Sequence, residues 1–160
     1  MSSTQIISFE HRRGSYKAED CRAWLRRLIV VCHNRGIERP TFIIDNAPVH
    51  VNLETVLQPE EDVEVLRLAP YSYLLNPIEL LWSSFKSRVK NLLRKRTPEI
   101  LNYVRINNQA ITISEHRTQI LEGIAVEATG GVPLQQLLGF ANHVERYYAA
   151  VLREEDLTEA

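Results

Sequence analysis

The sequence predicts an α/β layer fold with a partly parallel sheet, and three observations support this. The 160 residues are 44% hydrophobic and 24% charged with a net charge of −1, which is typical of one globular domain. Strand and helix patterns alternate along the first half of the chain. No apolar run approaches the roughly 18 residues of a membrane span, and the first residues do not resemble a signal peptide. We therefore expect an intracellular protein with no membrane partner.

The first three elements are predicted between residues 5 and 45. Gln5 to Arg12 has the composition of a strand. Ala18 to Cys32 carries apolar residues at helical spacing, and Asn34 to Gly36 is a helix stop. Thr41 to Ile44 is a short continuous apolar run, which indicates a strand buried on both faces, and it ends at Asp45.

The remaining elements are a short helix, a strand and a series of longer helices. The short helix covers Val51 to Leu57, and Val63 to Leu68 alternates like a strand. Pro77 begins a long helix that reaches about Arg96. The last helical patterns cover Pro98 to Asn107, Ser114 to Ala128 and Pro133 to Glu155. We interpret residues 1–160 as one domain, with the sheet and the long helix in 1–96 and a helical extension in 97–160.

Asp45 is the first candidate site residue. It follows a buried strand, and ligands in open α/β sheets bind at the carboxyl ends of the strands. The alternative is that Asp45 and Asn46 are turn formers whose side chains bond the local backbone. Taken alone, the position allows both interpretations.

Glu79 is the second candidate, and it also has a purely structural interpretation. Asn76 is a good N-cap and Pro77 suits the first helical position. Glu79 then falls at the third position, where its carboxylate can complete a capping box. Helix capping alone would therefore explain Asn76, Pro77 and Glu79, without any role in a functional site.

The helix that begins near Glu79 has a basic stripe beside an apolar face. At about 100° per residue, Glu79, Ser83, Lys86, Lys90 and Arg94 share one side. A carboxylate next to a row of cations suits metal-assisted chemistry on a phosphodiester, although a solvated basic face with no partner is the alternative. The predicted apolar face comprises Ile78, Leu81, Trp82, Phe85, Val89, Leu92 and Leu93.

Two segments together resemble the catalytic domain of the mariner superfamily of DDE transposases. The first segment, residues 42–50, reads Phe-Ile-Ile-Asp-Asn-Ala-Pro-Val-His. The second, residues 68–86, contains Leu-Asn-Pro-Ile-Glu followed by Leu-Leu-Trp-Ser-Ser-Phe-Lys. Asp45 and Glu79 are separated by 33 residues, close to the spacing of the family's second and third acids. Tyr73 and Leu74 differ from the family's usual Pro and acid.

The resemblance implies an RNase H-like fold and a metal-dependent DNA strand cleavage and transfer activity. Asp45 and Glu79 would be the catalytic ligands of Mg²⁺ or Mn²⁺, with His50 and Asn46 as accessory residues. The basic side chains Lys86, Lys90 and Arg94 would contact DNA phosphates. Gln5 to Arg12, Thr41 to Asp45 and Val63 to Leu68 would be the third, fourth and fifth strands of that fold.

One departure from the family concerns its first catalytic Asp, which lies on the first strand. Neither that strand nor the second fits before Gln5, and the family's N-terminal DNA-binding region is also absent. We therefore expect an RNase H-like fold lacking its first two strands, a truncated domain that is inactive alone. The alternative functions are a non-catalytic DNA-binding or protein-interaction module derived from a transposase, or an unrelated α/β domain.

The partners expected on this basis are DNA and a second copy of the chain. DNA binding should be weak and independent of sequence, which places the protein in the nucleus if its source is eukaryotic. Loss of the family's first strand would leave Thr41 to Ile44 with an open sheet edge. We expect self-association through that edge, pairing of Gln5 to Arg12 with it, or poor solubility.

Overall fold

Two short parallel strands and five α-helices are found in residues 1–70, 72–104 and 111–153, which the computed structural model describes. The strands are β1 (Thr41–Ile44) and β2 (Glu64–Arg67). The helices are α1 (Ala18–Asn34), α2 (Pro77–Asn102), α3 (Ile113–Gly130), α4 (Leu134–Glu145) and α5 (Tyr148–Leu152).

Helix α1 forms the first hydrophobic core. Its buried face contains both cysteines and the apolar residues at helical spacing, and Ile29 is fully buried. Phe42, Ile44 and Val65 from the strands pack against this face. The predicted helix and the predicted strands Thr41 to Ile44 and Val63 to Leu68 are therefore confirmed. Cys21 and Cys32 are buried free thiols whose pKa is raised by desolvation.

The sheet is parallel and leaves one face uncovered. Phe42 pairs with Val65, and Ile43 pairs with Leu66. Because side chains alternate across a strand, Ile43 and Leu66 lie on the face opposite α1, where they are 54% and 47% exposed. The expectation that Thr41 to Ile44 is buried on both faces is therefore wrong. Its four residues alternate between exposed and half-buried positions.

The predicted strand Gln5 to Arg12 is not a strand. Among the described residues the sheet contains β1 and β2 only, so this segment has no backbone ladder and does not pair with β1. Side chains hold it instead: Ile7 packs on the α1 core, and the rings of Phe9 and Phe85 lie 5.7 Å apart. The sequence pattern was that of a strand, but a strand also requires a neighbouring backbone edge.

The predicted helix Val51 to Leu57 is replaced by two 3₁₀ helices, Pro48–His50 and Leu53–Val56. Asn52 lies between them with φ of 54°, in the left-handed region. A left-handed residue interrupts a right-handed helix, and Asn tolerates this conformation better than most residues. Leu53 is nevertheless buried against α1, as the apolar pattern suggests.

Helix α2 continues through Pro98, where we expected a break between two helices. Proline removes the N–H that would bond the carbonyl of Arg94, but both residues are exposed, so water can replace that bond. Arg96 and Glu99 span the proline with two hydrogen bonds of 2.8 Å, which supports the turn.

The C-terminal helices form a second core with α2. Leu81 of α2 is buried, as are Ile124 of α3 and Leu137 of α4, and α2 packs against both helices. Helix α3 agrees with the predicted Ser114 to Ala128. The predicted helix Pro133 to Glu155 is interrupted after Glu145, and residues 105–110 and 154–160 of the predictions lie outside the described residues.

Arg13 connects the N-terminal segment to this second core. Its guanidinium donates hydrogen bonds to Glu115 and Glu122 of α3 at 2.6 to 2.9 Å. These bonds lower the pKa of both carboxyl groups. In the part of the chain that is described, no helix is long and apolar enough to cross a membrane.

Truncation of Ile29 tests the α1 core. Because Ile29 is 0% exposed, we expect Ile29→Ala to lower the free energy of unfolding by about 2–5 kcal/mol. Val30 is the matched control, since it is the next residue of the same helix and is 49% exposed. Val30→Ala should change the free energy by less than about 0.5 kcal/mol. Urea unfolding measures both, and equal losses would contradict this core.

Candidate active site

A cleft of about 310 Å³ lies at the carboxyl ends of the two strands. Its position follows from the parallel pairing, because the carboxyl ends of parallel strands meet at one edge of the sheet. Asp45 lines the cleft from the end of β1, and Leu68 from the end of β2. Glu79 lines it from the first turn of α2. The structure therefore brings together both carboxylates that the sequence singled out.

Asp45 is held by local bonds through one of its two carboxylate oxygens. Oδ1 accepts the backbone N–H of Ala47 at 3.1 Å and contacts His50 Nδ1 at 2.6 Å. Oδ2 makes no hydrogen bond with the described residues, and the side chain is 45% exposed. Asp45 thus both forms the turn and lines the cleft, and Oδ2 is left without a partner among the described residues.

Asn46 connects the ends of the two strands. Its Nδ2 donates to the carbonyl of Leu68 at 2.6 Å. The N–H of the same Leu68 makes the last bond of the ladder, to the carbonyl of Ile44 at 2.8 Å. This side-chain bond fixes the loop after β1 relative to the loop after β2. Asn46 also lines the cleft, next to Asp45.

His50 is positioned by Arg67. The guanidinium of Arg67 donates to the carbonyl of His50 at 2.8 Å and to both carboxylate oxygens of Glu54 at 2.6 and 2.9 Å. These bonds lower the pKa of Glu54 and raise that of Arg67. The loop that carries His50 is therefore tied to the end of β2, and the imidazole reaches back to Asp45.

Asn76 is the N-cap of α2, as predicted, but the capping box does not form. Asn76 is buried, and its Oδ1 accepts the N–H of Ile78 at 3.3 Å. The Glu79 carboxylate makes no hydrogen bond or ion pair with residues 1–70, 72–104 or 111–153. The structural alternative for Glu79 is therefore not realised, and its oxygens remain available to a ligand.

The basic stripe is exposed and unpaired. Lys86, Lys90 and Arg94 are exposed along α2, and none has an ion pair or hydrogen bond within the described ranges. Several arginines of the chain are paired with carboxylates, for example Arg26 with Glu61 at 2.5 Å. Arginines paired in this way are Arg12, Arg13, Arg26, Arg27, Arg39, Arg67 and Arg96.

Sequence reasoning missed three features of this region. Arg67 positions His50, yet its alternating strand context gave no signal for that role. Lys95 is a further exposed cation on α2 with no partner among the described side chains. Trp82 was assigned to the apolar face, but it is 40% exposed. Its helical position, at the border between the stripe and the apolar face, was the available signal.

Comparison with protein families places the chain in a known enzyme family. The model of the DDE superfamily endonuclease family matches residues 1–100, which include the cleft and most of α2. The chain belongs to the DDE superfamily endonuclease family. Searches of curated proteins and of solved structures gave no significant match.

DDE endonucleases use divalent metal ions, and the donors in the cleft suit such ions in kind. Asp45 and Glu79 offer carboxylate oxygens, which Mg²⁺ and Mn²⁺ prefer. No group of three or more His, Cys, Asp or Glu side chains suited to a metal ion occurs in the described parts of the chain. Asp45 and Glu79 are therefore two donors of the kind that divalent ions bind, and no third such group completes a metal site with them in the described residues.

Proposed function

We propose that this chain is part of the catalytic domain of a mariner-type DNA transposase, with an RNase H-like fold. The main support is that Asp45 and Glu79, which belong to different elements, line one cleft. Beyond Glu79, α2 carries Lys86, Lys90 and Arg94, which have no ion pair in the described residues. The family membership and the two sequence motifs support the same function.

Each group in the cleft has a role in this proposal. Asp45 and Glu79 hold Mg²⁺ or Mn²⁺, which when bound polarises the phosphodiester and activates the attacking group. His50 and Asn46 keep the Asp45 loop in place. Lys86, Lys90 and Arg94 hold the DNA backbone by charge and do not read its sequence. DNA as the partner implies a nuclear location in a eukaryotic cell.

The number of carboxylates in the cleft limits the proposed activity of this chain alone. Asp45 and Glu79 form no metal-binding group with a third His, Cys, Asp or Glu in the described residues, so we propose weak metal binding and no strand cleavage. A non-catalytic DNA-binding module derived from a transposase is the second candidate. The exposed stripe favours this candidate, because DNA binding by the stripe does not require the metal.

Metal binding is the first test of the cleft. We expect Mn²⁺ to bind with a dissociation constant on the order of millimolar, as for sparsely ligated sites. Asp45→Asn and Glu79→Gln should each weaken binding further, because each removes a charged donor. Electron paramagnetic resonance of free Mn²⁺ measures the affinity.

The control for this measurement is Glu38→Gln, which removes a carboxylate outside the cleft and should leave Mn²⁺ affinity unchanged. Nicking of supercoiled DNA should be absent with either metal. If all three variants bind Mn²⁺ equally, the assignment of the cleft is wrong. Metal-dependent nicking that Asp45→Ala abolishes would show that the two carboxylates suffice for catalysis.

DNA binding tests the stripe. If each of the three cations neutralises one phosphate, the slope of log K against log salt should be about −0.9 per contact, or roughly −3 for duplex DNA. Replacing Lys86, Lys90 and Arg94 with Ala should flatten that slope nearly to zero. Fluorescence anisotropy of a labelled duplex at several salt concentrations gives the slope.

The control is a second triple variant that lowers the net charge by the same amount, but at positions outside α2. Lys17→Gln, Arg35→Gln and Arg39→Gln together remove the same number of positive charges from exposed positions of the first 40 residues. This variant should retain the wild-type slope. If both triple variants lose the salt dependence equally, overall charge and not the stripe determines binding.

We also propose that the outer edge of β1 accepts a strand from a second copy of the chain. In a parallel ladder, every second residue of a strand forms its backbone hydrogen bonds with the partner strand. The carbonyls of Pro40, just before β1, and of Ile44 accept N–H groups from the side of β2. The backbone groups of Ile43 therefore point to the opposite, outer edge of the sheet. No strand in the described residues covers that edge, and β1 itself carries no charge that would oppose association.

Sedimentation velocity tests this association. We expect a dimer whose population rises with concentration, and Ile43→Glu should shift it to monomer by placing a charge at the edge. Val126→Glu is the control, because Val126 is also exposed, at 57%, but lies on α3. A monomer at all concentrations, or equal effects of the two substitutions, would contradict the proposal.

A further inference from the structure

Trp82 is a large aromatic side chain on the surface of α2. It lies three residues after Glu79 and four before Lys86. At about 100° per residue, its direction differs by about 60° from that of Glu79 and by about 40° from that of Lys86. The exposed fraction of the Trp82 side chain is 40%. The indole is therefore partly exposed on a side of α2 close in direction to Glu79, which lines the cleft, and to Lys86 of the stripe.

Neighbouring rings support the indole from the side of the core. The rings of Trp82 and Phe85 lie 5.5 Å apart with an interplanar angle of 80°, and Phe85 in turn contacts Phe9. Edge-to-face packing of this kind favours one orientation of the ring. Part of the indole surface is thus held in place and left open to solvent.

The positive charges near Trp82 indicate which kind of molecule can bind to its exposed surface. Lys86, Lys90 and Arg94 follow Trp82 along the same helix, and none is neutralised by a described carboxylate. An apolar protein surface would have to bury these charges beside the indole at a high cost. Nucleic acid supplies phosphates for the cations and a flat base for the ring, and proteins that bind single strands combine these two elements.

We propose that Trp82 is a stacking platform for an unpaired DNA base next to the cleft. The inference rests on the proposed function, in which DNA lies along α2. Bases in an intact duplex are already stacked on their neighbours, so the platform is specific for a strand end or a locally opened strand. Trp82 would bind the substrate and hold the strand in position, while the chemistry remains with Asp45 and Glu79.

The test compares single-stranded and duplex DNA of roughly 12 nucleotides, a length suited to one such site. Trp82→Leu keeps an apolar side chain but removes the aromatic face. We expect it to weaken binding of single-stranded oligo(dT) by roughly 5- to 150-fold, the range of one stacked base, and duplex binding by less than about twofold. Trp82→Phe should retain most of the single-strand affinity, because phenylalanine also stacks.

Two measurements separate stacking from a structural role of the side chain. In a Trp24→Phe background Trp82 is the remaining tryptophan, and its fluorescence should be quenched by oligo(dT) and much less by the duplex. Tyr148→Leu removes another exposed aromatic ring, 52% accessible and on α5, and should not change single-strand affinity.

The possible failures can be told apart. If wild-type protein binds both DNAs through the stripe but Trp82→Leu binds oligo(dT) normally, the stacking inference is wrong and the proposed function stands. Equal losses for single strand and duplex also overturn the inference. If Trp82 fluorescence changes with protein concentration without DNA, a second copy covers the ring. If wild-type protein binds neither DNA, both the inference and the proposed function fail.

Discussion

The parallel pairing of β1 with β2 is the constraint on which the site depends. Four residues in each strand pair in register, and the Leu68 N–H extends the ladder to the carbonyl of Ile44. Parallel strands end at the same edge, so the acid after β1 and the chain that leads from β2 into α2 must meet there. An antiparallel pair would place these segments at opposite ends of the sheet. Thus a small sheet is sufficient to bring Asp45 and Glu79 to one cleft.

Side-chain to backbone bonds then stabilise loops that the short strands cannot hold. Asn46 joins the two strand ends, Arg67 holds the carbonyl of His50, and Asn76 caps α2. Each bond satisfies a polar group and leaves the carboxylates of the cleft with unused oxygens. Asp45 uses one carboxylate oxygen in its own turn, whereas Glu79 makes no hydrogen bond with the described residues. The loops are therefore held in place by bonds that leave carboxylate oxygens of Asp45 and Glu79 available to a ligand.

The distribution of ion pairs separates structural cations from available ones. Arg13 and Arg26 are each bound to glutamates that connect distant parts of the chain, and these bonds lower the pKa of the carboxyl groups. Along the outer side of α2, by contrast, Lys86, Lys90 and Arg94 have no such partners in the described structure. The net charge of the chain is near zero, but this surface of α2 is strongly basic. Because that surface begins beside Glu79, the proposed function places the cleft and the cations on the same strand of DNA.

The sequence by itself determined the elements whose signals are local. Helical spacing located α1, the short apolar and alternating runs located β1 and β2, and Asn76 with Pro77 located the start of α2. It also identified Asp45, Glu79 and the stripe, because residue type and spacing suffice to suggest carboxylates at a strand end and cations on one helix face. The family motifs in residues 42–50 and 68–86 pointed to the same residues.

Only the tertiary structure decided the features that depend on distant neighbours. Gln5 to Arg12 has a strand composition but finds no partner edge among the described residues. Whether Glu79 completes a capping box or faces a cleft could not be read from its position, since both require the same local sequence. The exposure of Trp82 likewise depends on what packs around α2. The outcomes at Gln5 to Arg12, Glu79 and Trp82 depend on tertiary packing, which local sequence patterns do not contain.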